Sequence, residues 1–465
     1  MPSNKTTDSL IAWLPDLIFT GERFESGLAL VCNPSGRIER LARIDELKDE
    51  KRISLPKRAL LPGMVNAHSH AFQRVLRGRT EYRTNNQQDS FWTWREMMYS
   101  AATRLTPEDI YDASRRAFLE MALGGITAVG EFHYLHHAPD GMPYDDPNLL
   151  AKEVVRAAGD VGLRIALLRV AYARSGFQTG PNPKQARFIE SDPEIYLKNI
   201  EKLVADVTRG TSPNASAWVG VAPHSVRAVP LDYLRTVVAH ANQTDLKVHM
   251  HVAEQPAEVS ACVEEYGRTP IALLQSEGLL SERFTAVHAI HVTPKAIPSF
   301  ARTGAMVCAC PTTERNLGDG VVPVDEYFKH DVPICLGTDS HAQIDLLEDA
   351  RELEYHLRLQ KLERAVLSAA LLFDCATANG ARSIGSPNGS LESGKAADFF
   401  TVALDDPSIT GSSDEDLLSN IVFSLSRAAV REVVVSGKPI VSEGQHLVQE
   451  EVVERFKDLQ KRLWN

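Results

Sequence analysis

The sequence predicts an α/β protein: a (β/α)8 barrel with a small β-sandwich domain built from both chain ends. Three observations predict it. Eight strand-like runs alternate with helical stretches over roughly 280 residues, the number a closed barrel requires. Short apolar runs broken by turn residues occupy both ends of the chain. No Gly-x-Gly-x-x-Gly follows any strand, which removes the main argument for a doubly wound open sheet.

Residues 1–60 form the first part of the sandwich: Leu17-Ile18-Phe19, a Gly21-Glu22 turn, Leu28-Ala29-Leu30-Val31, then Pro34-Ser35-Gly36. The barrel spans 61–383, with strands expected at 60–66, 126–132, 164–171, 217–222, 246–252, 284–289, 305–309 and 332–337. Helices between them start at Thr106-Pro107, Asp146-Pro147, Asp192-Pro193 and Thr293-Pro294, each a capping side chain before a first-turn proline. Gly124-Gly125 and the Gly159 to Gly162 stretch supply stops. Residues 384–449 return to β texture with Asp398-Phe399-Phe400-Thr401-Val402 and Glu432-Val433-Val434-Val435, completing the sandwich. Residues 450–465 have helical period and dock on the surface.

With 465 residues, 43% hydrophobic and 24% charged, the chain is globular rather than disordered. A net charge of −11 with no basic face argues against nucleic acid and anionic membrane as partners. Six scattered cysteines read as reduced thiols, residues 1–8 are polar without a signal-peptide core, and no run of about 18 apolar residues exists. A cytoplasmic protein is expected.

Barrel chemistry belongs at the carboxyl ends of the strands. The first ends in His68-Ser69-His70, whose two imidazoles share a face because strand side chains alternate. The fourth ends at Pro223-His224-Ser225, with Arg227 beyond. His249 and His251 share a face of the fifth, so either fits a ligand role; His251 is favoured because it lies nearer the strand end, with Glu254 three residues on. His288 and His291 of the sixth have opposite parity, so one enters the barrel. The eighth ends at Gly337-Thr338-Asp339-Ser340, where Asp339 can reach a central ion.

Three histidines and an aspartate suit one Zn²⁺ with an open water position, Fe²⁺ being the alternative. A second metal would need a bridging ligand at the end of strand four, and His224 stands there instead. Other features have plainer explanations. Cys308-Ala309-Cys310 fits buried strand thiols, His133, His136 and His137 fit loop histidines, and Phe91-Trp92-Thr93-Trp94 fits core or dimer surface. The charge-rich stretch 348–364 fits a solvated helix face.

Together Pro62-Gly63-Met64-Val65-Asn66-Ala67-His68-Ser69-His70, His251-x-x-Glu254, His288 and Gly337-Thr338-Asp339-Ser340 resemble the amidohydrolase superfamily. Its members pair a metal-bearing barrel with a β-sandwich from both chain ends, and Asn388-Gly389-Ser390-Leu391 with Gly394-Lys395-Ala396-Ala397-Asp398 is similar to its return into the sandwich. The likeness runs from about residue 15 to the final helix.

Four further stretches resemble the branch that deiminates N-formimino-L-glutamate in histidine degradation. They are His70-Ala71-Phe72-Gln73-Arg74, Asp89-Ser90-Phe91-Trp92-Thr93-Trp94-Arg95, Glu131-Phe132-His133-Tyr134 and Pro223-His224-Ser225-Val226-Arg227. That resemblance implies that Gln73, Arg95, Tyr134, His224 and Arg227 hold the substrate's glutamate portion. Arginine suits the task, since its fork binds a carboxylate bidentately.

The expected mechanism has His68, His70, His251 and Asp339 binding Zn²⁺, which activates a water. Asp339 takes a proton, His288 steadies the attacking hydroxide and the tetrahedral intermediate, and Glu254 protonates the nitrogen that leaves as ammonia. The resemblance also implies a homodimer. The competing expectation is a mononuclear-zinc aminohydrolase of a purine, pterin or triazine ring. A non-catalytic scaffold is disfavoured, because every ligand and Glu254 is present.

Overall fold

A computed structural model describes residues 10–81, 90–209 and 216–465. The polar stretch 1–8 and Asp89 lie outside the described residues.

Eight parallel strands form the barrel in chain order: Met64–Ser69, Ile126–His133, Arg164–Ala171, Ala217–Pro223, Val248–Val252, Phe284–His288, Met306–Ala309 and Ile334–Leu336. All but Trp218 are buried along their length, as strands with a packed interior and covering helices must be. The seam between the eighth and first strands closes through a bridge between Ser69 and Asp339. There Asp339 N–H donates to His68 O and His70 N–H to Asp339 O, both at 3.0 Å.

The first barrel strand begins later than its apolar pattern predicts. Leu60, Leu61 and Pro62 end a twelve-residue strand, Lys51–Pro62, that belongs to the other sheet. Gly63 makes the crossing, where a Cβ would lie 2.3 Å from Thr127 Oγ1.

That other sheet has nine strands and joins the two chain ends. Its order is Gln445–His446, Lys438–Ser442, Val430–Val435, Phe399–Ala403, Lys51–Pro62, Ile11–Phe19, Leu28–Cys32 and Ile38–Arg43, with Phe24–Ser26 paired to Ile11–Phe19. Eight of them form one continuous hydrogen-bonded path. Trp13, Leu30, Leu60, Phe399 and Val434 build its core, with the Trp13 and Phe399 rings 5.1 Å apart. A fully buried ion pair ties sheet to barrel: Arg164 Nε donates to Asp398 Oδ2 at 2.7 Å.

The helix Pro107–Leu123 starts as its sequence predicts, with Thr106 accepting from Asp109 N–H. So does Pro193–Arg209, where Asp192 accepts from Glu194 N–H. Two expected starts differ. After Asp146-Pro147 the helix begins only at Leu149, because Asp146 accepts from Asn148 N–H and pairs with Lys152 and Lys202 instead of capping. Thr293-Pro294 opens a 3-10 turn, Pro294–Ala296, and then a five-residue helix, without a side-chain cap. Gly159 lies inside the helix Leu149–Val161, and Gly162 alone adopts the left-handed stop.

The helix Ala378–Ile384 plugs the amino end of the barrel: Ser383 O faces His249, Ile384 O accepts from Trp218, and Gly380 packs on Val65. The final helix, Gln449–Trp464, docks on Pro107–Leu123 through Arg115–Glu451 and Arg455–Asp112 pairs of 2.8 and 2.7 Å. Among the described residues, no helix is long and apolar enough to cross a membrane.

Candidate active site

Three strand ends deliver four donors to one point at the carboxyl end of the barrel. His68 Nε2 lies 3.2 Å from His70 Nε2 and 3.1 Å from His251 Nε2. Asp339 Oδ1 lies 3.1 Å from His70 Nε2 and 3.4 Å from His68 Nε2. His70 Nδ1–H donates to Phe132 O and His251 Nδ1–H to His224 O, which turns both Nε2 lone pairs inward. Burial also keeps His68 and His251 neutral, pushing His68 down to about 3 and His251 well below the usual range.

Converging lone pairs repel each other, and a cation between them removes the conflict. Metal–nitrogen bonds of 2.0–2.1 Å at tetrahedral angles would put neighbouring nitrogens about 3.3 Å apart, close to the separations seen. The residues therefore fit a single divalent ion.

His249 shares the inward face with His251 but sits one layer deeper, where it bonds Ser383 O at 3.2 Å. His288 enters the site, whereas His291 is half-buried and donates to Asp319 O. His288 Nε2 is 3.7 Å from both Glu254 Oε1 and Asp339 Oδ2, and its Nδ1 is 3.2 Å from Glu314 Oε1. Burial disfavours the imidazolium, yet the Glu254, Glu314 and Asp339 carboxylates outweigh it and raise His288 to about 10. Burial raises the Glu254 carboxyl, against the pull of His288 and Arg227. Among non-glycine residues around this point, Ala253, His288 and Asp339 have positive φ of 52°, 70° and 43°. Each costs about 1–3 kcal/mol, a strain typical of functional sites.

A cleft opens above the four donors. Gln73, Arg95, Tyr134, His224 and Arg227 all line it, beside His70, His251, Glu254 and Asp339. Gln73 Nε2 donates to Tyr134 OH at 2.7 Å, leaving Gln73 Oε1 buried without a partner. The Nε and Nη1 atoms of both Arg95 and Arg227 are likewise buried and unpartnered, and neither guanidinium forms an ion pair among the described residues. Unpaired buried charge of this kind is expensive, and a bound anion would relieve it.

Several wall residues escape prediction. Phe91 and Trp94 line the cleft, and Trp92 stacks on Arg95 at 4.7 Å and Arg227 at 5.9 Å, so this segment also forms part of the cleft wall. Its position just before Arg95 was the available clue. Tyr99 and Tyr172 complete the wall, both accepting from the buried amide of Gln185. Glu314, in the helix Pro311–Leu317 that follows strand seven, reaches His288 from outside any strand end.

His136 and His137 are structural, donating to Val170 O and Ile189 O. All six cysteines are buried free thiols. The helix Leu346–Lys361 is not wholly solvated: Asp349 accepts from Thr312, and Glu354 from Val366 and Leu367 N–H.

A (β/α)8 barrel with this donor set and an acid beside it defines the class, a barrel hydrolase. Residues 59–440 match the Amidohydrolase family, and the chain belongs to it. Formimidoylglutamate deiminase of Pseudomonas aeruginosa is 38% identical over 406 residues, spanning 86% of this chain and 88% of that one. A crystal structure of an amidohydrolase from Brucella melitensis is 33% identical with a TM-score of 0.89, covering 98% of this chain and all of its own. A 5-methylthioadenosine/S-adenosylhomocysteine deaminase of Haloarcula marismortui is 28% identical, over 92% of this chain and 90% of its own. The chain is thus a hydrolase acting on C–N bonds, and it resembles formimidoylglutamate deiminase.

Proposed function

We propose that the protein is a zinc-dependent deiminase that hydrolyses N-formimino-L-glutamate to N-formyl-L-glutamate and ammonia, a step of histidine degradation. The pair of unpartnered guanidiniums on the cleft wall carries this reading. The substrate has two carboxylates, and Arg95 and Arg227 offer one fork to each. Likeness to the Pseudomonas enzyme supports the same substrate.

His68, His70, His251 and Asp339 would hold one Zn²⁺ per chain, or Fe²⁺. When bound, such an ion lowers the pKa of a coordinated water toward about 7, supplying a nucleophile at neutral pH. Gln73, Tyr134 and His224, with the arginines, orient the glutamate portion so that the formimino carbon faces the donor cluster. Asp339 accepts the proton of the attacking water. His288, anchored through Nδ1 by Glu314, steadies the developing charge with Nε2. Glu254, whose burial favours the protonated form, delivers a proton to the terminal nitrogen, which leaves as ammonia. We further propose a cytoplasmic homodimer, in keeping with six buried free thiols.

Product analysis on metal-loaded protein given N-formimino-L-glutamate tests the reading. Ammonia with N-formylglutamate is expected, whereas formamide with glutamate would overturn the assignment of Glu254. The purine-deaminase relatives support a second reading, a ring aminohydrolase. Hydrolysis of a purine, pterin or triazine in place of the amidine would establish it.

A further inference from the structure

We propose that Glu131, outside the donor set and the cleft lining, is the positioning residue that sets the metal-binding geometry of His70. The inference rests on the metal reading above. Glu131 lies near the carboxyl end of the second barrel strand and is 1% exposed. Three consecutive residues of the first strand's end each hand a hydrogen to this strand. Ser69 Oγ–H donates to Glu131 Oε2 at 2.5 Å, His70 Nδ1–H to Phe132 O at 2.8 Å, and Ala71 N–H to Glu131 Oε1 at 2.7 Å. The two carboxylate oxygens thus grip the chain on both sides of His70, while the intervening bond fixes its ring.

The grip extends to the eighth strand, which carries Asp339. With its hydrogen committed to Glu131, Ser69 Oγ is left to accept from His341 Nε2, 3.0 Å away. His341 O in turn accepts from Arg74 Nη1 at 2.5 Å, and Arg74 is held by Glu120 through bonds of 2.9 and 2.6 Å. Ser69 also makes the bridge that closes the barrel at Asp339. One carboxylate therefore indexes the strands supplying three of the four donors, His68, His70 and Asp339, while touching neither the metal point nor the cleft. Outer partners of this kind typically change metal affinity 10–100-fold when removed.

The test is zinc affinity and release rate, by competition against a chromogenic chelator, together with the visible absorption of the cobalt(II)-substituted protein. Glu131→Ala should weaken zinc binding about 10–100-fold, speed its release and alter the cobalt spectrum. Glu131→Gln should recover binding to within about threefold, because its amide can still accept from Ala71 and donate to Ser69 Oγ. If Glu131→Ala does not fold, Ser69→Ala carries the test with an expected loss of about fivefold. Wild-type affinity and an unchanged cobalt spectrum in the folded Ala variant would overturn the proposal, even with a lowered melting temperature. Failure of the wild-type protein itself to take up metal would instead overturn the metal reading, and this inference with it.

Discussion

Arg227→Met separates a dicarboxylate enzyme from a ring hydrolase. The guanidinium is buried, is 5.9 Å from the Trp92 ring, and forms no ion pair among the described residues, so its proposed counter-ion is a substrate carboxylate. Removing one partner of a desolvated, hydrogen-bonded charge pair costs about 2–5 kcal/mol. A central figure of about 3 kcal/mol, at 1.36 kcal/mol per decade, is a loss of about 160-fold in kcat/KM. Most of it should fall on KM, because the carboxylate is bound alike in ground and transition states. Ammonia release is the assay, run with N-formimino-L-glutamate and with the formimino derivatives of γ-aminobutyrate and norvaline, each lacking one carboxylate. Wild type should be penalised on both truncated substrates, and the variant on only one. Losing an unpaired buried charge should leave the melting temperature unchanged or raise it. A loss under about fivefold, or equal penalties on both analogues in the variant, would refute the assignment.

Other outcomes follow from the same geometry. Glu254→Gln should lower kcat about 10²–10⁴-fold with metal content unchanged, checked by steady-state kinetics beside elemental analysis. His251→Ala should lose the metal while His249→Gln keeps it, because His249 bonds Ser383 O below the donor layer; elemental analysis of both variants decides. Chelation should abolish activity and lower the melting temperature, since free metal at 1,000 times Kd stabilises the fold by about 4 kcal/mol; calorimetry with and without zinc measures this. Asp398→Asn should cost about 3–5 kcal/mol by stranding the buried Arg164, read by denaturant titration.

The barrel was legible because its strands are buried on both faces and read as continuous apolar runs between capped helices. The donors were legible because polar residues at such strand ends have no packing reason to be there. Alternation placed His249 and His251 on one face, but parity carries no information about depth, and depth separates a ligand from a partner of the plug helix. The start of strand one was misplaced because Leu60, Leu61 and Pro62 are as apolar as the barrel strand they precede. Gln185 and Glu131 were not legible as site residues, since their roles arise from contacts between segments far apart in the chain.

The nine-stranded sheet has a consequence for biosynthesis. Phe399–Ala403 fills the place beside Lys51–Pro62, so a strand made early must wait for one made about 340 residues later. Until then, the nascent chain presents an open apolar edge while the whole barrel is being translated. Ribosome-bound chains ending before residue 399 should therefore engage holdase chaperones through that edge, and release should coincide with emergence of the returning strand.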